Sequence, residues 1–168
     1  MHKVNSLFFL LIMLFLGTAT GGCKGGHAKG DKSEAPGLQA KDVIGSWGLV
    51  QYSVKLKSKG GEKIDSSYVV KVGDVLKESG KKPPRTSLFA NGNYREEIVS
   101  LQDSLLQLKL GTWHIYEDSL YLRQNIEGAV PTAFGAERSG AKLLLKIKFD
   151  MDGDGEKDDL SELILKKK

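Results

Sequence analysis

An all-β fold is what this 168-residue chain predicts, on three observations. From Val43 onward, short runs rich in Val, Ile, Leu and Tyr recur, separated by Gly, Asn, Asp or Pro. Two of those runs alternate with polar residues at the two-residue period of a strand with one buried face. Only Ser67 to Glu78 shows helical spacing, and no internal repeat suggests a solenoid or propeller. The chain has length for one domain, and a formal net charge of +4 is too weak to argue for nucleic acid.

Residues 1–22 read as a leader. Lys3 supplies a positive start, Leu7 to Leu16 is an unbroken apolar run, and small residues follow to Gly22. The run is too short to span a membrane as a helix and fits a secretory signal. It ends at Cys23, the single cysteine, and Thr20-Gly21-Gly22-Cys23 resembles the lipobox at which bacterial lipoproteins are cleaved, with Thr20 where Leu is usual. One cysteine forms no intrachain disulfide, so its expected use is lipid attachment. Acyl chains such as palmitate, at about 0.8 kcal/mol per buried methylene, would anchor the exported protein to a bacterial membrane, facing periplasm or cell surface. Residues 23–42 form the expected tether: Lys24 to Ala40 is rich in glycine and charge and has no aromatic residue. His27 in it reads as a solvated residue. The folded domain is expected over residues 43–168.

Within the domain, Val50, Tyr52, Val54 and Leu56 alternate with Gln51, Ser53 and Lys55 and define a first strand. Ser67 to Glu78 is expected to be a short helix, from the spacing of Tyr68, Val72, Val75 and Leu76. Lys81-Lys82-Pro83-Pro84 continues neither element and is a loop. Asn91-Gly92 favours the positive φ of a tight turn, so Thr86 to Phe89 should pair with Tyr94 to Ser100. Leu106, Leu108 and Leu110 are out of phase with Trp113 and Ile115, and a β-bulge or bend at Gly111 would bring both sets to one face. Glu117-Asp118-Ser119 turns the chain into Leu120 to Gln124. Gly128 to Gly140 reads as a surface connection, with a lid over a barrel mouth as the alternative. Lys142 to Phe149 and Leu160 to Lys166 form the last hairpin.

These residues carry a resemblance. Ile44-Gly45-Ser46-Trp47 resembles the Gly-x-Trp opening strand of lipocalin-like domains, Phe89-Ala90-Asn91-Gly92-Asn93-Tyr94 their F-x-x-[DN]-G-x-Y hairpin, and Gly111-Thr112-Trp113 with Asp118-Ser119-Leu120-Tyr121-Leu122 their G-x-W and D-x-L-x-L hairpin. The resemblance, over Val43 to Gln124, implies a small antiparallel lipocalin-like barrel of about eight strands, packed solid or holding one small apolar ligand. Trp47, Trp113 and Phe134 are the candidate ligand-binding residues, with plugging of the barrel core as the alternative for the two tryptophans.

The run Asp150-Met151-Asp152-Gly153-Asp154-Gly155-Glu156-Lys157-Asp158 puts carboxylates at alternate positions before a glycine turn. Asp150, Asp152, Asp154, Asp158 and the carbonyl of Glu156 could complete an oxygen shell for calcium; the alternative is a solvated acidic turn. The twelfth position is Ser161 where an EF-hand has Glu, so the run is closer to a calcium hairpin between strands. No other cofactor is expected.

Catalytic chemistry has little to work with. No G-x-S-x-G elbow, phosphate loop or H-E-x-x-H helix occurs, and His114, between Trp113 and Ile115, reads as a surface strand residue. The chain is therefore expected to be no enzyme but a membrane-anchored binder of a small apolar molecule. The alternative is a solid-cored structural or protein-interaction module, its protein partner unknown.

Overall fold

In a computed structural model the described residues are 37–59, 62–72, 76, 79–151 and 155–168, with backbone alone at 57–59 and 62–66. A one-turn helix α1 (Ala40–Val43) precedes nine strands: β1 (Gly45–Lys59), β2 (Glu62–Lys71), β3 (Arg85–Leu88), β4 (Asn93–Val99), β5 (Leu105–Tyr116), β6 (Ser119–Gln124), β7 (Thr132–Ser139), β8 (Lys142–Phe149) and β9 (Asp159–Lys167). All pairings are antiparallel. β3 to β9 pair in chain order, and β1 bonds to both β3 and β9, closing an eight-strand barrel.

β2 is the extra strand. Gly45 to Gly48 of β1 pair with β3, and from Gln51 onward the same strand pairs with β2. The expected helix over Ser67 to Glu78 is therefore strand up to Lys71, while Val72 and Leu76 are helical. Ser67 and Val69 face solvent at a sheet edge, so no period-2 apolar pattern marks the segment.

The Asn-Gly hairpin forms as expected. Arg85 to Leu88 pair with Tyr94 to Glu97, and Gly92 takes φ +79°. β8 and β9 form the expected last hairpin, with Lys142 opposite Lys166 and Phe149 opposite Asp159.

Three expectations give way. No register shift occurs at Gly111: β5 runs straight from its pairing with β4 into its pairing with β6. Leu106, Leu108 and Leu110 consequently lie outside, 43–51% exposed, and Trp113 lies inside. Gly111 is required for another reason, since a Cβ there would strike the Arg123 carbonyl and the Tyr94 ring. Irregularities sit elsewhere: in the β4–β5 ladder between Ile98 and Val99, opposite Gln107 and Leu105, and on β1 between Leu56 and Ser58 opposite β2 and between Leu49 and Gln51 opposite β9, the last leaving Val50 39% exposed and turning Tyr52 and Val54 inward. Finally, Gly128 to Gly140 is no loop: Thr132–Ser139 is β7, with Phe134 and Ala136 buried. Its alternation is carried by small residues and so does not read as a strand.

One end of the barrel is shut. Val43 of α1 and Trp47 are fully buried there with Leu88, Tyr94, Trp113, Leu120, Phe134, Leu143 and Leu165. The folded part reaches back to Leu38, which packs on this core and donates its N–H to Asp118 Oδ1 at 3.1 Å. The leader, Cys23 and His27 lie outside the described residues.

Candidate functional site

Directly paired residues of an antiparallel sheet share a face, so the inner wall can be followed strand by strand. Trp47, Thr86, Glu96 and Lys109 form one row; Leu88, Tyr94, Gly111 and Gln124 a second; Trp113, Leu122 and Thr132 a third. On the other side run Tyr52, Leu163, Leu145 and Ala136, then Val54, Ser161 and Ile147. At the shut end these side chains are buried. Ile115, Leu122, Ile147 and Leu163 pack against this core while half-buried, and farther along the wall Glu96, Lys109, Gln124 and Thr132 face inward yet keep part of their surface accessible. Val72 and Leu76 lie against Tyr52 and Val54.

The lining is apolar with a few placed polar groups, the composition expected of a ligand pocket. Glu96 Oε1 and Lys109 Nζ meet at 2.7 Å, with side chains only 26% and 16% exposed. Tyr94 beside them is pushed up to about 12, first by burial and then by the Glu96 carboxylate. On the opposite wall, the Tyr52 and Ser161 hydroxyls are buried as diagonal neighbours. Burial raises the Tyr52 phenol strongly, a side-chain hydrogen bond with Ser161 opposes that, and Tyr68 adds to the rise.

The residues singled out in the sequence fall elsewhere. Trp47, Trp113 and Phe134 all belong to the shut end. The Trp47 ring donates Nε1–H to the Val43 carbonyl at 2.6 Å, and Trp113 to the Phe89 carbonyl at 3.0 Å. Each indole N–H is thus taken by a backbone carbonyl, and both rings are buried in the core of the shut end. His114 faces outward and stacks on Tyr121 at 4.8 Å between centroids.

In the β8–β9 loop, Asp150 Oδ2 accepts from the Gly155 N–H at 2.9 Å and Asp159 Oδ2 from the Met151 N–H at 2.7 Å. Glu156 is exposed and Asp158 half-buried. Asp152 and Asp154 lie outside the described residues. Among the described residues no three metal-ligating side chains converge.

Sequence reasoning did not single out the polar pairs of the wall. Lys109 sits between Leu108 and Leu110, where it reads as the solvent side of an apolar strand, and the real faces are the reverse. Tyr52 was placed on a buried face, but nothing local shows that Ser161 stands beside it. A depression on the outer face, lined by Glu137, Ser139, Lys142, Leu144 and Ile164, measures about 160 Å³. That is below the roughly 300 Å³ of a small-molecule site.

No protein-family description matches the chain. No curated protein matches it in sequence. Among solved structures it is similar to a lipocalin-like protein from Bacteroides uniformis, with 16% identity, 76% of this chain and 99% of that chain covered, and a TM-score of 0.44. The barrel itself is established by the strand pairing described above.

Proposed function

We propose that this protein is an exported, lipid-anchored barrel that holds one small apolar molecule in its interior. The carrying observation is the contrast along the barrel. One end is plugged by Trp47, Trp113 and α1, while beyond it Glu96, Lys109, Gln124 and Thr132 face inward and stay partly accessible. The reading is of binding and not of catalysis: the histidine among the described residues lies outside the barrel, stacked on Tyr121. The anchor is read from the lipobox-like Thr20-Gly21-Gly22-Cys23.

Organic extraction of the purified full chain, followed by mass spectrometry, tests the ligand: one apolar species near one equivalent per chain supports the reading, and none detectable counts against it. The anchor has its own test. Cys23→Ser should move the chain out of the membrane fraction, and its retention there would end the lipoprotein proposal.

A further inference from the structure

Positive charge accumulates at the plugged end of the barrel. Lys142 of β8 lies directly opposite Lys166 of β9, and both are exposed. Like charges placed opposite each other weaken a strand pair, and among the described residues no carboxylate forms an ion pair with either. Lys167 continues the row: its Nζ stands 5.6 Å over the Trp47 ring, and its Cε lies beside Gly45, which pairs with Leu88. Lys168 is fixed by its N–H, which donates to the Ser46 carbonyl at 2.9 Å, and Lys41 stands exposed on α1. Five lysines thus gather around α1 and the start of β1. The acidic residues of this end are occupied or set apart. Asp42 accepts from Arg138 at 3.3 Å, while Glu117 and Asp118 lie in the β5–β6 turn, where Asp118 takes the Leu38 N–H.

Two aromatic side chains stand on the same rim. Phe89, next to Leu88 in the β3–β4 turn, is 45% exposed, and Tyr116, at the end of β5, is 61% exposed. The turn is held by the Phe89 backbone, whose N–H donates to the Asn93 carbonyl and whose carbonyl accepts from Trp113 Nε1, so the ring is left for other contacts. Exposed rings beside lysines are the composition that settles at a lipid–water interface, where the ring enters the headgroup layer and the ammonium meets phosphate. The place of the patch singles out a membrane among acidic surfaces. The described chain begins at this end, with Leu38 packed on the core. Leu38 is 15 positions after Cys23, a reach of at most about 50 Å. A lipid on Cys23 brings a bilayer within reach of this end first.

We propose that the plugged end docks on an anionic phospholipid surface, its five lysines meeting lipid phosphates and the Phe89 and Tyr116 rings turned to the headgroups. The inference rests on the reading of Cys23 as a lipid anchor and adds how the barrel sits on its membrane: plug down, opposite loops in the aqueous phase. The anchor makes the encounter of the lysines with lipid intramolecular. The patch orients a chain that the anchor retains, since charge contacts of this kind are screened at physiological salt. Lys142 and Lys166 then face phosphate as well as each other.

The test uses the full chain purified from membranes and inserted into preformed vesicles of phosphatidylcholine, alone or mixed with anionic phosphatidylglycerol. Mild acetylation with neutral acetic anhydride is then read lysine by lysine by mass spectrometry. In the anionic vesicles Lys41, Lys142 and Lys166 to Lys168 should lose most of their reactivity, while the exposed Lys148 and Lys157 toward the opposite end keep theirs. In phosphatidylcholine alone both sets should react as they do in detergent. Lys142→Gln, Lys166→Gln and Lys168→Gln together, all at exposed positions, should restore the reactivity of Lys41 and Lys167 in the anionic vesicles. Equal reactivity at the two ends in anionic vesicles would overturn the docking and leave the anchor standing. Protection that is the same in phosphatidylcholine alone, that survives the glutamine variant, or that is already present in detergent would assign the lysines to another contact, an acidic protein or a second copy of the chain, and also overturns it. A chain that floats with neither kind of vesicle removes the anchor, and the docking with it.

Discussion

Tyr94 shows how one side chain reports the state of the barrel interior. Its ring packs against Gly111, its hydroxyl belongs to the wall row next to Glu96 and Lys109, and its ionisation is pushed up to about 12, by burial first and by Glu96 second. Tyr52 is raised as well, chiefly by burial. Both phenols are harder to ionise in the folded chain than in the unfolded one. Their contribution to stability is thus complete below about pH 10, the ordinary tyrosine value, and is lost as pH rises toward 12. Thermal melts should show the melting temperature falling steeply across that window, and Tyr94→Phe should flatten part of the fall. A profile unchanged by that substitution would place Tyr94 in a solvated setting. The residue scale is also where the sequence was least legible. The Lys109 and Glu96 pairing depends on a cross-strand register, and no local pattern around either residue reveals it.

Elements were legible where their turns are chemically marked. Asn91-Gly92 announces the β3–β4 hairpin, and the alternation of Leu143, Leu145, Ile147 and Phe149, broken only at Leu144, announces β8. β7 was missed because Ala133, Gly135 and Ala136 mute its alternation, and β2 because an edge strand needs no apolar face. Only the first half of β5 is read inside out, since a row of three leucines suggests a second inward set that needs a bend at Gly111, whereas Trp113 does face inward. Its true facing makes a sharp prediction. Leu108→Ser, at a position 43% exposed, should change unfolding free energy by less than about 0.5 kcal/mol, while Leu120→Ala, at 1% exposure, should lose about 2–5 kcal/mol. Urea denaturation of both variants checks it, and a comparable loss at Leu108 would restore the bulge at Gly111. The β8–β9 loop carries the calcium proposal on its alternate carboxylates. A cation bound only by the folded state stabilises it by mass action, at a Kd of about 10⁻⁴ to 10⁻³ M for an extracellular site. Millimolar calcium is then expected to raise the melting temperature by a few degrees, magnesium less, and Asp152→Ala with Asp154→Ala to abolish the response. Identical melting with calcium and with a chelator would leave a solvated turn.

At the scale of the whole molecule, the barrel has a plugged end and, beyond it, an inner wall that stays partly accessible. The plug is built by α1, Trp47 and Trp113, and the described chain begins at that end with Leu38 packed on it. A lipid-anchored Cys23 would therefore hold the plugged end toward the tether and leave the opposite loops, including β8–β9, on the far side. The all-β class and the closed barrel were readable from turn residues and alternation, whereas occupancy of the interior by a ligand was not, because apolar inner residues look alike whether they meet one another or a ligand. The central claim is that this interior holds one small molecule, and its most direct measurement is a titration of the full chain with N-phenyl-1-naphthylamine, repeated with Ile147→Trp on the inner wall and Leu108→Trp on the outer face. The account predicts saturable binding near one molecule per chain, abolished by filling the interior with Ile147→Trp and retained in Leu108→Trp. Absence of saturable binding, or binding that is lost with Leu108→Trp and survives Ile147→Trp, would contradict it.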